Sequence, residues 1–196
     1  MIDKSRLLAI TDGIVAIAAT IMVLQMVIPE QVSMAAVKEQ WPIVLAYIIS
    51  FTQIFLAWHE HHDSVANAEY INHRIFLINC LWLFFITLLP FVTGLVGHAP
   101  QSMSAMMLYI LILFMVQLSI TIESFAITKL NDSMILDYEV IRVIRILSFA
   151  GYAAAAACTF INTYISGIII LALSIVEIIL MCAYDIKIGK KLIEKE

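Results

Sequence analysis

The chain has 196 residues, 63% of them hydrophobic and only 13% charged, with a mean hydropathy of +0.99, whereas soluble domains carry about 25% charged residues. That composition excludes an ordinary water-soluble domain. A net charge of −4 with no basic cluster also excludes a nucleic-acid partner, because phosphate binding needs grouped Lys and Arg.

About 20 apolar residues cross the ~30 Å hydrocarbon layer, and the sequence divides into six such stretches. We therefore expect an all-α integral membrane protein, residues 1–196 forming a single six-helix membrane domain. The spans fall at about 7–28, 41–58, 75–96, 102–127, 142–161 and 167–186. The first is too long for a signal-peptide core and reads as a retained span. His59-Glu60 marks the expected end of the second, Gly97-His98-Ala99-Pro100 a turn after the third. The uncharged run 146–176 exceeds one crossing and is divided at Asn162-Thr163-Tyr164-Ile165-Ser166-Gly167.

In this arrangement Lys4, Arg6, Arg74, Lys129, Arg142, Arg145, Lys187, Lys190, Lys191 and Lys195 fall on one side and Lys38 alone on the other. The positive-inside rule then places both termini in the cytoplasm of a multi-pass cell-membrane protein. The cysteines Cys80, Cys158 and Cys182 lie far apart in apolar stretches, which is neither a disulfide framework nor a CxxC metal pattern.

The first span holds an acid, Asp12, which is costly in lipid. On a helical wheel Ile10, Ile14, Ile17, Ile21, Leu24 and Ile28 form one stripe, with Asp12 about 140° from Ile17. Ala9, Gly13, Ala16 and Thr20 lie between them and permit close helix approach. Periodicity leaves two readings of the stripe open: contact with lipid or a neighbouring helix, or hydrophobic rings around a symmetric pore that gate by dewetting.

The run Arg6-x-x-x-Ile10-Thr11-Asp12-Gly13, followed by Ala16-Ile17-x-x-Thr20-x-x-x-Leu24, resembles the Arg-x-x-x-Phe-Ser-Asp signature of the transmembrane-protein-175 potassium channels, in their prokaryotic, single six-helix branch. Trp58-x-x-His61-His62, Asn79 and Leu88-Leu89-Pro90-Phe91 resemble that family's second and third helices. The sequence departs from the pattern at Ile10, Thr11 and Asp63. The resemblance implies a potassium-permeable homotetramer whose first helices surround the axis, without a Thr-Val-Gly-Tyr-Gly filter. It assigns Ile17, Thr20, Ile21 and Leu24 to the pore wall, with Ile17 narrowest.

Arg6, Thr11, Asp12, Trp58, His61, His62 and Asn79 share the cytoplasmic depth and are expected to form a polar network holding the first helix to its own subunit. The alternative for Asp12 is an ion-binding or proton-sensing site. The cluster His59-Glu60-His61-His62-Asp63 contains natural metal ligands, but only His73 and His98 remain to complete a histidine set, so no metal and no cofactor is expected. Glu123 and Glu177 are further intramembrane acids, and Asn162 or Ser148 are candidate partners for Glu177.

No nucleophilic or acid–base constellation assembles, so an enzyme is not expected. The expected function is a potassium-permeable cation channel in the lipid bilayer. The alternative is a secondary transporter or proton-coupled carrier, which calls for broken helices near the midplane.

Overall fold

The computed structural model describes residues 3–26, 33–131 and 138–193, with the side chains of 138–140 and 185–193 left aside. Among these residues all regular structure is helical: α1 Lys4–Val23, α2 Met34–Glu39, α3 Trp41–Asn67, α4 His73–His98, α5 Met103–Leu130, α6 Tyr138–Thr159 and α7 Thr163–Ile193. Six of them are long and apolar enough to span a membrane, and α2 is a single short turn before α3.

The helix starts follow from short polar side chains that satisfy otherwise unpaired N–H groups. Asp3 accepts from the Ser5 N–H, Asn72 from that of Ile75, and Ser102 from that of Ala105. Pro42 occupies the first turn of α3, where its missing N–H costs nothing. Between α6 and α7 the chain turns at 160–162, earlier than the 162–167 turn expected from sequence, and the Asn162 side chain accepts from the Tyr164 N–H.

The second spanning helix continues nine residues past the expected end at 58, to Asn67. Its 27 residues measure about 40 Å at 1.5 Å per residue, more than the ~30 Å of hydrocarbon. The charges after Trp58 therefore do not end the helix, which is longer than one crossing requires. The first helix stops at Val23; its expected end at 28, and Pro29 and Glu30, lie outside the described residues.

Helix α4 packs on α1, α3 and α5, while α6 and α7 form a hairpin against α5 and α3. Helix α1 lies at the edge, touching only α3 and α4 among the described helices. The main core runs from Val15, Ala18 and Met22 through Trp82, Ile86 and Leu89 to Leu113 and Tyr152.

Close packing at one end depends on Gly97, where a Cβ would lie 2.1 Å from Ile43 Cδ1 and 2.8 Å from Ile43 Cα. Each end of the bundle is also tied by polar contacts. At one, Lys4 donates to the carbonyls of Ala66 and Ala68, and Asn131 Oδ1 accepts from the Glu69 and Tyr70 N–H groups, both at 2.8 Å. At the other, His98 Nε2 meets the Gln25 carbonyl at 2.9 Å, and Trp41 stacks on Tyr164.

Candidate functional site

Helix α1 has two unlike surfaces. Leu7, Thr11, Val15, Ala18, Ala19 and Met22 are buried against α3 and α4. Ile10, Ile17, Ile21 and Leu24 are exposed, Ile17 at 59% and Leu24 at 77%. Ile14, which the wheel places in the same stripe, is instead half-buried against the core. Thr20 is exposed beside the aliphatic row, and its hydroxyl donates to the Ile17 carbonyl at 2.9 Å.

Asp12, Gly13 and Ala16 are exposed too, and a Cβ on Gly13 would meet nothing within 4 Å. The open surface of α1 thus combines aliphatic, hydroxyl, small and carboxylate groups. An exposed carboxylate is strongly disfavoured against hydrocarbon, so this surface suits protein or water better than lipid tails.

The seven residues expected to form one polar network occupy separate contacts. The Trp58 indole N–H donates to Asp12 Oδ1 at 2.8 Å, joining α3 to α1. Asn79 Nδ2 donates to Thr11 Oγ1 at 3.3 Å, joining α4 to α1. The His62 ring lies 5.3 Å from that of Trp58, with the rings tilted. His61 points the other way around α3, meeting Glu123 of α5 at 3.0 Å and stacking on Trp82 of α4 at 4.9 Å.

That separation follows from helical spacing, since adjacent residues 61 and 62 diverge by about 100°. Arg6 is exposed at the start of α1, close to Asp3. The Asp3 carboxylate lies below its ordinary 3.8 because the Ser5 hydroxyl and N–H donate to it, with a smaller contribution from the Arg6 charge.

Three contacts were not foreseen. Glu123 pairs with His61 inside the protein, both side chains essentially without exposure. Glu60, in the C-terminal third of α3, forms a largely buried ion pair with Arg145 of α6. Glu177 is hydrogen-bonded to Ser148, one of its two named candidates, and also accepts from Gln53 Nε2 at 2.7 Å. The signal available for Gln53 was a lone amide in the middle of an apolar span. Among the described residues no group of three or more His, Cys, Asp or Glu side chains is placed to hold a metal ion.

Residues 6–90, which carry nearly all of α1, all of α2 and α3, most of α4 and all seven polar-network candidates, match the family described as endosomal/lysosomal potassium channel TMEM175. The structure is similar to the crystal structure of a lysosomal potassium-selective channel TMEM175 homolog from Chamaesiphon minutus. That likeness has a TM-score of 0.72 at 26% identity, covering 90% of this chain and 96% of the other. In the first half of the sequence and in fold, the chain is similar to TMEM175 channels.

A curated potassium channel from Chryseobacterium sp. (strain P1-3) is 34% identical over 119 residues, 61% of this chain and 62% of the relative. One from Chamaesiphon minutus (strain ATCC 27169 / PCC 6605) is 31% identical over 116 residues, 55% of this chain and 57% of the relative. The chain thus spans less than two thirds of the length of these curated relatives. The likeness to a TMEM175 homolog agrees with the six-helix architecture, and these relatives are named as channels.

Proposed function

We propose that this chain is a subunit of a potassium-permeable channel in the cell membrane, with four copies arranged so that their α1 helices surround the conduction path and both termini lie in the cytoplasm. The carrying observation is the exposed face of α1: the row Ile17, Ile21 and Leu24, with Thr20 and Asp12 exposed nearby, on a helix whose opposite face is packed into its own subunit. Around a fourfold axis that row supplies successive hydrophobic rings, Ile17 innermost, with Thr20 hydroxyls beside them.

Such rings oppose ion passage by making water leave the constriction. A small change in their radius switches between wet and dry states, so no carbonyl filter is required for gating. The relatives' names support potassium as the ion, and the excess of Lys and Arg toward the α3–α4 connection and the chain ends supports the orientation. The competing carrier reading wants spanning helices interrupted near the midplane, and α4 instead passes through Pro90 without ending.

The test is flux from liposomes containing the purified chain. Wild type is expected to pass potassium faster than sodium, and Ile17→Asn to raise the rate and reduce the preference by wetting the constriction. Equal rate and preference in wild type and mutant would contradict the pore assignment.

A further inference from the structure

Between α3, α6 and α7 lies a closed set of polar side chains that the channel reading does not use, and the number of hydrogens in it is decisive. Gln53 Nε2 donates twice, to Ser174 Oγ at 3.0 Å and to Glu177 Oε2 at 2.7 Å. Tyr152 donates its hydroxyl to Gln53 Oε1 at 2.7 Å, and Ser174 donates to the Ile170 carbonyl at 2.9 Å. Each of these groups has as many hydrogens as it has acceptors to serve.

Ser148 is the exception. Its hydroxyl lies 2.8 Å from the Ile144 carbonyl and also in hydrogen-bond contact with Glu177 Oε1. One hydroxyl hydrogen cannot serve both oxygens fully. Glu177 and Ser148 are buried, and a shared or missing bond to a buried polar group is costly.

We propose that Glu177 is the binding site of a structural proton, held on Oε1 and donated to Ser148 Oγ, so that the α6–α7 hairpin is fastened to α3 by a neutral carboxylic acid. With that one added hydrogen the accounting closes: Glu177 donates to Ser148, Ser148 donates to Ile144, and Gln53 donates to the remaining carboxyl oxygen. The charged surroundings agree. Glu60 of α3 is the charged group felt at Glu177, and it is of the same sign, with Arg145 of α6 bound to Glu60. Tyr152 of α6 borders the cluster and Tyr109 of α5 lies beyond it; neither brings a positive charge. Removing the proton would leave a carboxylate with Ser148 forced to abandon the Ile144 carbonyl.

The experiment is infrared spectroscopy of the full chain in liposomes at neutral pH, wild type against Glu177→Gln. The expected difference is loss of the C=O stretch of one protonated carboxylic group per chain. Loss of a carboxylate stretch instead overturns the proposal. Ser148→Ala provides a second reading that leaves the acid in place: the carboxylic C=O band is expected to move to higher frequency because the acid loses its acceptor. An unmoved band, or none, overturns the proposal as well.

Discussion

The indole N–H of Trp58 donates to the Asp12 carboxylate at 2.8 Å, so the acid within the first spanning helix is answered from the helix packed behind it. Hydrogen bonds to charged groups contribute about 1.5–3 kcal/mol when well protected. Asp12 is exposed, which reduces the expected contribution to about 1 kcal/mol. Trp58→Phe should therefore lower the thermal midpoint of the purified protein by a few degrees, while Asp12→Asn, which keeps an oxygen acceptor, should lower it less. A Trp58→Phe protein that melts with wild type would show that this bond contributes nothing to holding α1.

Close approach of α3 and α4 makes a sharper prediction. An added methyl at Gly97 would press on Ile43 Cα at 2.8 Å as well as on its side chain, and backbone yields less readily than a rotamer. Overpacking of this kind costs about 1–3 kcal/mol. Gly97→Ala should reduce thermal stability measurably. Gly13→Ala, where nothing lies within 4 Å, should instead raise stability by about 0.5–1 kcal/mol, because Gly in a helix interior is less favourable than Ala.

His61 and Glu123 are buried partners on α3 and α5 at 3.0 Å. Leaving one of them unpaired costs about 1–3 kcal/mol. Glu123→Leu should destabilise the chain, and the double variant with His61→Leu should be more stable than the sum of the two losses predicts. Strictly additive melting shifts would show that the two side chains do not depend on each other.

The Asp3 carboxylate lies below 3.8 through its bonds to Ser5. A depressed folded-state value means that the cap stabilises the helix above the unfolded value. That stabilisation fades as pH falls from about 3.8 through the lower folded value. Titration of Asp3 followed by NMR should give a midpoint below 3.8, and Ser5→Ala should raise it. A wild-type midpoint at or above 3.8 would rule the cap out as an anion-stabilised start.

The architecture was largely legible because hydrocarbon thickness fixes span length and every backbone group must be satisfied within a helix. Charge was the misleading signal. His59 to Asp63 looked like an end of α3, yet a helix can outlast the membrane that buries it. The exposed row of α1 was also visible, since 3.6-residue periodicity separates it from Asp12, although Ile14 drifted to the packed side.

Pairing between helices was less legible. Thr11 with Asn79 and Asp12 with Trp58 follow depth, whereas His61 with Glu123 and Gln53 with Glu177 depend on helix rotation. A sequence shows which residues share a face but not which neighbour that face meets.

The most direct measurement concerns Ile17. In a chain with Cys80, Cys158 and Cys182 replaced by serine, Ile17→Cys is compared with Ile179→Cys, an exposed position on α7, during potassium flux from liposomes. A water-soluble thiol reagent should block flux through the Ile17→Cys protein and spare the Ile179→Cys protein. Undiminished flux after confirmed modification of the cysteine at 17, or equal block at both positions, would contradict a conduction path walled by α1.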